Sequence, residues 1–335
     1  MRYRLAIPMV ATGALLAAAI TYDPRPAQAQ EACDDRTDWP SSYTVGTASQ
    51  GGTYFIYGSG WANLTAEALG LNAGGEVTGG PVQNLALVQT GDLEFGMTTM
   101  GPAGLALSGE SPLAPGLAHD QVRAIFPMYE TPFKIMTLAS SGIDSIDSIP
   151  DGAVIGFGPA GGTSDTFFPS MLETLGVEFE KQNGGASDLA GQLQDGLIDV
   201  FAFAGGVPIS AFSQLEAQVD VNIFGFTDEE RATILGAFPV APFAIPAEVY
   251  TSTDEDVPTV SMWNFAIASA DLPECFVYHV VDAVMSNNDD MVQIHSAARA
   301  TLPENHENNS LIPWHPGAVR WFEENGYDIN DELEG

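Results

Sequence analysis

The pattern of apolar and polar positions along the chain predicts strands that are each followed by a helix. Residues 42–47 form a short strand-like run, and an apparent helix follows as far as Gly70. In a later segment four apolar residues fall at i, i+3, i+4 and i+7, the spacing of one buried helix face. These residues are Phe168, Met171, Leu172 and Leu175. Strands that alternate with helices predict an α/β fold whose parallel sheets are covered on both faces.

The order of elements in the first half is repeated in the second. Residues 42–54 and residues 153–165 both give a strand, a Gly-Gly-Thr loop and a helix start. Each half continues with a short strand, at 76–78 or 178–180, then a helix ending in Gln-x-Gly and a further strand. This echo predicts two lobes of similar topology, with loops at the carboxyl ends of the strands, where ligands bind.

Two extended segments are predicted to join the lobes as hinge crossings, at residues 133–138 and 259–267. Lobe I then consists of residues 30–130 and 265–335, and lobe II of residues 131–264. The amphipathic helix after the second crossing and the final helix are expected to pack on lobe I.

The first residues have the features of a secretory signal. Arg2 and Arg4 precede an apolar stretch from residue 7 to residue 20, and Ala27-Gln28-Ala29 supplies an A-x-A cleavage pattern. The alternative is a membrane anchor, but the stretch is short for a span of about 20 residues. Residues 1–29 are therefore interpreted as a cleaved signal peptide, and we expect a periplasmic protein.

The composition is strongly acidic. Lys and Arg number 10 against 44 Asp and Glu, which gives a formal net charge of −34, or about −36 without residues 1–29. Nucleic acid and anionic membranes are excluded as partners because both require a basic face. The sequence contains no D-x-[DN]-x-[DN]-G calcium loop, so the acidic excess is interpreted as a solvated surface. We expect a monomer that needs no metal.

The chain has two cysteines, Cys33 and Cys275. Export favours a disulfide between them, with two free thiols as the alternative. A zinc site is disfavoured because the thiols are isolated and no histidines stand at ligand spacing.

The paired Gly-Gly-Thr loops are the candidate ligand site. A helix start offers unpaired N–H groups and about half a positive charge, glycine admits a ligand to the backbone, and Ser or Thr adds hydroxyl donors. One such loop is as often a plain turn, whereas two at matching positions favour one anion-binding cleft. The lobe I candidates are Thr47, Ser49, Gln50, Gly51, Gly52, Thr53, Tyr54, Asn84, Thr98 and Thr99. The lobe II candidates are Gly161, Gly162, Thr163, Ser164, Asp165, Phe203, Gly205 and Gly206.

Few side chains are available for ionic or catalytic chemistry. Arg123 and Lys134 are the candidates for a direct charge partner, although either can be a surface or hinge residue. The G-x-S-x-G, P-loop and H-E-x-x-H signatures are missing. The histidines are scattered, and His315 is expected to help start the last helix. The sequence therefore predicts a binding protein without a cofactor rather than an enzyme.

Several of these motifs together resemble the TAXI family, the TRAP-associated extracytoplasmic immunogenic proteins. The resemblance is carried by residues 46–54, 79–85, 195–203 and 312–318, with Gln89-x-Gly91 between them. It covers nearly the whole chain after the predicted signal peptide. The opening loop and the closing His-Pro-Gly-Ala sequence are the most specific parts.

The resemblance implies a type II periplasmic-binding fold that closes on its solute. It implies delivery to the permease of a tripartite ATP-independent periplasmic (TRAP) transporter, driven by an ion gradient. It also implies a small carboxylate ligand such as glutamate or 2-oxoglutarate. Pro81 departs from the family's usual small Ser or Ala, and residues 97–100 depart from its usual turn. A receptor for an ATP-driven importer or for a sensor kinase, and an exported enzyme, are the alternatives.

Overall fold

The computed structural model describes Cys33 and residues 36–335. The predicted signal peptide, residues 1–29, lies outside the described residues. Two α/β lobes are joined by two extended strands that take part in the sheets of both. Among the described helices, none combines the length and the apolar character that a membrane span requires.

Ten strands and ten α-helices make up the described part of the chain. The strands are β1 (Ser42–Gly46), β2 (Asn72–Glu76), β3 (Phe95–Thr99), β4 (Val122–Leu138), β5 (Ala153–Gly156), β6 (Phe179–Gln182), β7 (Val200–Ala204), β8 (Val221–Phe224), β9 (Ala241–Ile245) and β10 (Val257–Ser269). The helices are α1 (Thr53–Leu69), α2 (Pro81–Thr90), α3 (Met100–Leu107), α4 (Thr163–Thr174), α5 (Ala186–Gln194), α6 (Ser210–Glu216), α7 (Asp228–Ala237), α8 (Glu274–Met285), α9 (Asn288–Ile294) and α10 (Pro316–Glu324).

A sheet runs through both lobes. In lobe I its order is β2-β1-β3-β10-β4, with β1 parallel to β2 and β3, and β10 antiparallel to β3. In lobe II the order continues β4-β7-β5-β6, with β5 parallel to β6 and β7. β8 pairs antiparallel with β4, and β9 pairs antiparallel with β10. In each lobe the parallel strands therefore end at one edge, where the helices that follow them begin.

The two hinge crossings are confirmed as β4 and β10. They pair with each other from Ser261 opposite Pro132 to Ser269 opposite Val122. Both are longer than the predicted segments, because each strand continues into the sheets of the two lobes. The register shifts between Trp263 and Phe265, so the pairing is irregular at Asn264 between them.

The apolar residues separate into clusters that follow the lobes. One cluster contains Trp61, Phe95 and Phe276 and packs α1, α8 and α10 against the lobe I sheet. Two others, around Phe168 and Phe212, lie in lobe II. The expected packing of α8 and α10 on lobe I is confirmed. Each cluster falls within one predicted lobe. The exact residues at which the lobes divide stay a prediction.

The strand predicted at residues 76–78 is wrong in position. β2 begins at Asn72 and pairs with β1 through Glu76, although its sequence is rich in glycine. Its hydrogen bonds to β1 hold it extended in the absence of β-branched side chains. Residues 77–80 instead form the loop that leads to α2.

His315 starts α10, as the sequence predicts. Its Nδ1 accepts a hydrogen bond from the Gly317 N–H at 3.2 Å, and its Nε2 lies 3.1 Å from the carbonyl oxygen of Leu272. Pro316 occupies the first helical position. Burial lowers the pKa of His315 to about 4, so the ring is neutral at pH 7 and keeps the lone pair that accepts this bond.

The cysteines are not free in the structure. Cys33 and Cys275 are both disulfide-bonded. The alternative of two free thiols is therefore wrong.

Candidate functional site

A cavity of about 430 Å³, counted with its open mouth, lies between the lobes. The residues that line it are Ala48, Ser49, Gly52, Thr53, Tyr54, Gly79, Gly80, Pro81, Thr99, Thr131, Pro159, Gly162, Thr163, Ser164, Phe203, Ala204 and Gly205. None of these lining residues is acidic, although the chain has 44 Asp and Glu. The negative surface of the protein therefore does not continue into the cavity.

Four helices begin at the cavity wall. α1 begins after Gly52, α2 after Gly80, α3 after Thr99 and α4 after Gly162, and none of these four residues caps its helix with a side chain. The first N–H groups of a helix have no partner within it, and the aligned peptide dipoles place about half a positive charge there. At α2, Pro81 has no N–H and the N–H of Val82 donates to Gly161, so this helix start adds positive potential rather than a free donor. Helix starts that converge in this way form an arrangement that binds anions.

The two Gly-Gly-Thr loops have the same backbone conformation. Gly51 has φ +84° and Gly161 has φ +82°, values that glycine adopts at little cost. The carbonyl oxygen of Gly51 accepts from the N–H of Ala211 at 3.1 Å, and that of Gly161 accepts from the N–H of Val82 at 3.1 Å. Each loop therefore bonds to the opposite lobe through its left-handed glycine.

Further contacts join the two lobes across the cleft. The N–H of Ser187 donates to the carbonyl of Gln50 at 3.2 Å, and the hydroxyl oxygens of Thr99 and Thr163 lie 2.8 Å apart. The lobes are thus in direct contact around the cavity, which is a closed arrangement of two lobes joined by hinge strands.

The structure brings many of the predicted ligand residues together at the cavity wall. They are Ser49, Gly52, Thr53, Tyr54, Thr99, Gly162, Thr163, Ser164, Phe203 and Gly205. Their binding of a ligand remains a prediction. The repeated order of elements in the two halves of the sequence predicted that they would converge from both lobes.

A second group of predicted residues contacts the opposite lobe instead of lining the cavity. Gln50, Gly51, Gly161 and Gly206 each offer a backbone carbonyl to a donor across the cleft. The donor to Gly206 is the hydroxyl of Thr53. These four residues therefore hold the closed arrangement, whatever contact they make with a ligand.

The remaining predicted residues, Thr47, Asn84, Thr98 and Asp165, do not line the cavity. Thr47 and Asn84 bond to backbone carbonyls within lobe I, and Thr98 bonds to the carbonyl of Thr99. The carboxylate of Asp165 accepts from the N–H of Gly161 at 3.0 Å. Asp165 therefore stabilises the lobe II loop from outside the cavity.

Tyr54 connects the cavity with the crossing strands. Its hydroxyl donates to Oδ1 of Asn264 at 2.6 Å, and the Asn264 amide nitrogen lies 2.7 Å from the hydroxyl of Thr131. Tyr54 and Thr131 both line the cavity, and Asn264 lies at the register shift in β10. Thr131 and Asn264 were missed from the sequence, because a polar residue within a long strand carries no local signal.

The Gly79-Gly80-Pro81 segment was also missed as part of the cavity wall. Pro81 stands at the first helical position of α2, and Gly80 has φ +104°. A proline directly after a pair of glycines is a helix-start signal. It could have identified this third helix start.

The two candidate charge partners lie in different places. Nζ of Lys134 donates to the carbonyl oxygen of Gly205 at 2.6 Å, and Gly205 lines the cavity. The guanidinium of Arg123 donates to the carbonyl of Asp120, and Arg123 is not a lining residue. Lys134 is therefore the candidate that the structure keeps near the cavity.

Two α/β lobes, two crossing strands and a cavity at the carboxyl ends of the parallel strands define a periplasmic-binding-protein fold. The NMT1-like family matches residues 45–326, and the chain belongs to that family.

Solved structures share this fold at low sequence identity. MatC (Rpa3494) from Rhodopseudomonas palustris with bound malate is 16% identical, with a TM-score of 0.58 over 85% of this chain and 97% of that chain. The periplasmic binding protein BugD is 14% identical, with a TM-score of 0.56 over 87% of this chain and 100% of that chain. Rpa4515 of R. palustris with adipate is 17% identical, with a TM-score of 0.54 over 78% of this chain and 89% of that chain.

Proposed function

We propose that this protein is a periplasmic solute receptor, without enzymatic activity, that captures a small carboxylate between its two lobes. The observation that carries the proposal is the cavity where four helices begin and no acidic side chain lines the wall. The malate bound to MatC and the adipate on Rpa4515 support a carboxylate ligand. The motif resemblance narrows the class to compounds such as glutamate or 2-oxoglutarate.

The start of α4 offers the clearest set of donors for a carboxylate. The hydroxyl oxygen of Ser164 accepts from the N–H of Ala204 at 2.7 Å, which leaves its own proton to donate. The first-turn N–H groups of Thr163 and Ser164 add backbone donors. A ligand held there meets the start of α1 when the lobes close, so its binding energy favours the closed state.

The receptor's partner is proposed to be a TRAP permease, as the TAXI resemblance implies. A gene for a large integral permease beside this one would support that partner. A neighbouring ATPase gene would favour an ATP-driven importer, and a neighbouring membrane kinase gene would favour a sensor.

The double variant Thr163→Ala plus Ser164→Ala tests the proposed function. We expect it to bind the preferred acid at least tenfold more weakly, a loss of about 1.4 kcal/mol, because hydrogen bonds to a carboxylate are lost. Affinity is measured by isothermal titration calorimetry with malate, adipate, glutamate and 2-oxoglutarate.

The matched control is Ser170→Ala plus Thr174→Ala, at the exposed far end of the same helix. This control is expected to bind as the wild type does. Equal affinity of wild type and the Thr163 and Ser164 double variant would show that neither hydroxyl holds the carboxylate.

A further inference from the structure

Lys134 is a buried amine with no anion of the described chain bonded to it. Its side chain is 0% exposed in β4. Its Nζ bonds to two neutral carbonyl oxygens, of Pro132 at 3.1 Å and of Gly205 at 2.6 Å. None of the ion pairs among the described residues includes it. Proteins rarely bury an ammonium without a counter-charge, because desolvation strongly disfavours the charged form.

The elements packed around Lys134 offer no charge that would balance it. The neighbouring strands β7, β8, β9 and β10 contain no titratable side chain. Asp188 on α5 is exposed, and Glu216 on α6 bonds to Ser252. None of the titratable groups on nearby elements of the described chain is bonded to Lys134. They include Tyr54, Tyr129, Glu130, Asp165, Asp188, Glu216, Tyr250 and His295.

The amino group of Lys134 lies directly behind the cavity wall. The carbonyl oxygen that it bonds at 2.6 Å belongs to Gly205, a lining residue. Lys134 also pairs across the sheet with Phe203, which lines the cavity too. An ammonium has three donors, and the two carbonyls use two of them. In so dry an environment, the field of this charge reaches a ligand on the other side of the Gly205 backbone.

We propose that Lys134 is the counter-charge for the receptor's anionic ligand and that it gains a proton when the ligand binds. The proposal rests on the proposed function and adds to it the charge that selects the ligand. Burial lowers the pKa of Lys134 well below its ordinary value in the empty protein. A carboxylate beyond Gly205 raises this pKa again, because an opposite charge favours the protonated form.

The direction of the pH dependence follows from this coupling. The ligand binds the protonated form of Lys134 more tightly than the neutral form. Affinity is therefore highest below the pKa of Lys134 in the empty protein. It falls as the pH rises from that value to the higher pKa of the complex, and within this window each binding event takes up a proton.

Proton uptake is measured at several pH values by titrating malate, adipate, glutamate and 2-oxoglutarate into the protein in HEPES and in Tris, neither of which supplies a phosphate or carboxylate that would compete for the site. These buffers differ in ionisation enthalpy, so uptake appears as a difference between the two observed binding enthalpies. Within the pH window between the two pKa values of Lys134, we expect wild type to take up as much as one proton per ligand. Lys134→Met is expected to bind at least tenfold more weakly, without uptake. Arg123→Met, the control, removes one positive charge away from the cavity and is expected to retain both properties.

A thermal melt by circular dichroism checks that Lys134→Met is folded. The apolar cluster beside it, which includes Met136 and Phe203, provides a suitable environment for methionine. Wild type that binds an acid with no proton uptake at any of these pH values, or Lys134→Met with unchanged affinity, would overturn the role of Lys134 and leave the proposed function in place. Failure of wild type to bind any of the acids would overturn the proposed function and this inference together.

Discussion

Gly51→Ala is expected to weaken carboxylate binding about a hundredfold, whereas Gly70→Ala leaves binding unchanged. Both glycines have positive φ, +84° and +68°, so both substitutions carry a similar backbone strain of about 1 kcal/mol. Their surroundings differ. A Cβ at Gly51 would lie 2.9 Å from the backbone nitrogen of Ser187 in lobe II, while Gly70 has no atom within 4 Å of its Cβ position.

The added methyl group therefore acts on closure rather than on folding. With the lobes held apart at this point, a ligand bound to one lobe loses its contacts with the other, and the closed state is no longer favoured. Calorimetry measures the affinities, and small-angle X-ray scattering measures the decrease in radius of gyration on adding the acid. An equal loss of affinity in both variants, or in neither, would contradict the role of Gly51 in closure.

Asn84→Leu is expected to lower the free energy of unfolding by about 4 kcal/mol. Asn84 is fully buried, and its Nδ2 lies 3.0–3.1 Å from the carbonyl oxygens of Gly46, Thr47 and Met97. Its Oδ1 accepts from the hydroxyl of Thr78 at 2.7 Å. Leucine would remove these hydrogen bonds. Thr47 and Thr78 still bond to each other at 2.9 Å, but each buried group that loses its partner costs about 1–3 kcal/mol.

Urea denaturation measures this loss, with Asn63→Leu as the control. Asn63 is exposed on α1, so its substitution is expected to change stability by less than about 0.5 kcal/mol. A loss below about 1 kcal/mol in Asn84→Leu would show that its amide does not stabilise the joint between β1, α2 and β3. The sequence predicted Asn84 as a ligand residue. The structure places its amide against backbone carbonyls of lobe I, and its contact with a ligand stays a prediction.

Local patterns were sufficient to predict helix α8 of the lobe I core and the starts of two helices at the cavity. The spacing of Val277, Val280 and Val281 marks the buried face of α8, and the glycines at 52 and 162 mark the starts of α1 and α4. Both signals depend only on residues within a few turns of each other. The fold class followed from the order of such elements along the chain.

The contacts between the lobes could not be predicted in the same way. Gln50 meets Ser187, and Tyr54 meets Asn264 more than 200 residues further along the chain. Neither pair leaves a periodic or compositional signal, because each partner is an ordinary loop or strand residue in its own segment. Lys134 was recognised as a candidate only because basic residues are so few, and its burial behind Gly205 depends on the pairing of β4 with β7.

A crystal structure of the receptor with its tightest-binding acid tests the central claim most directly. We expect a carboxylate oxygen within about 3 Å of the backbone nitrogens of Thr163 and Ser164, with the start of α1 in contact with the same ligand. An acid bound outside the cavity between the lobes, or one held in it without contact to either helix start, would contradict the account.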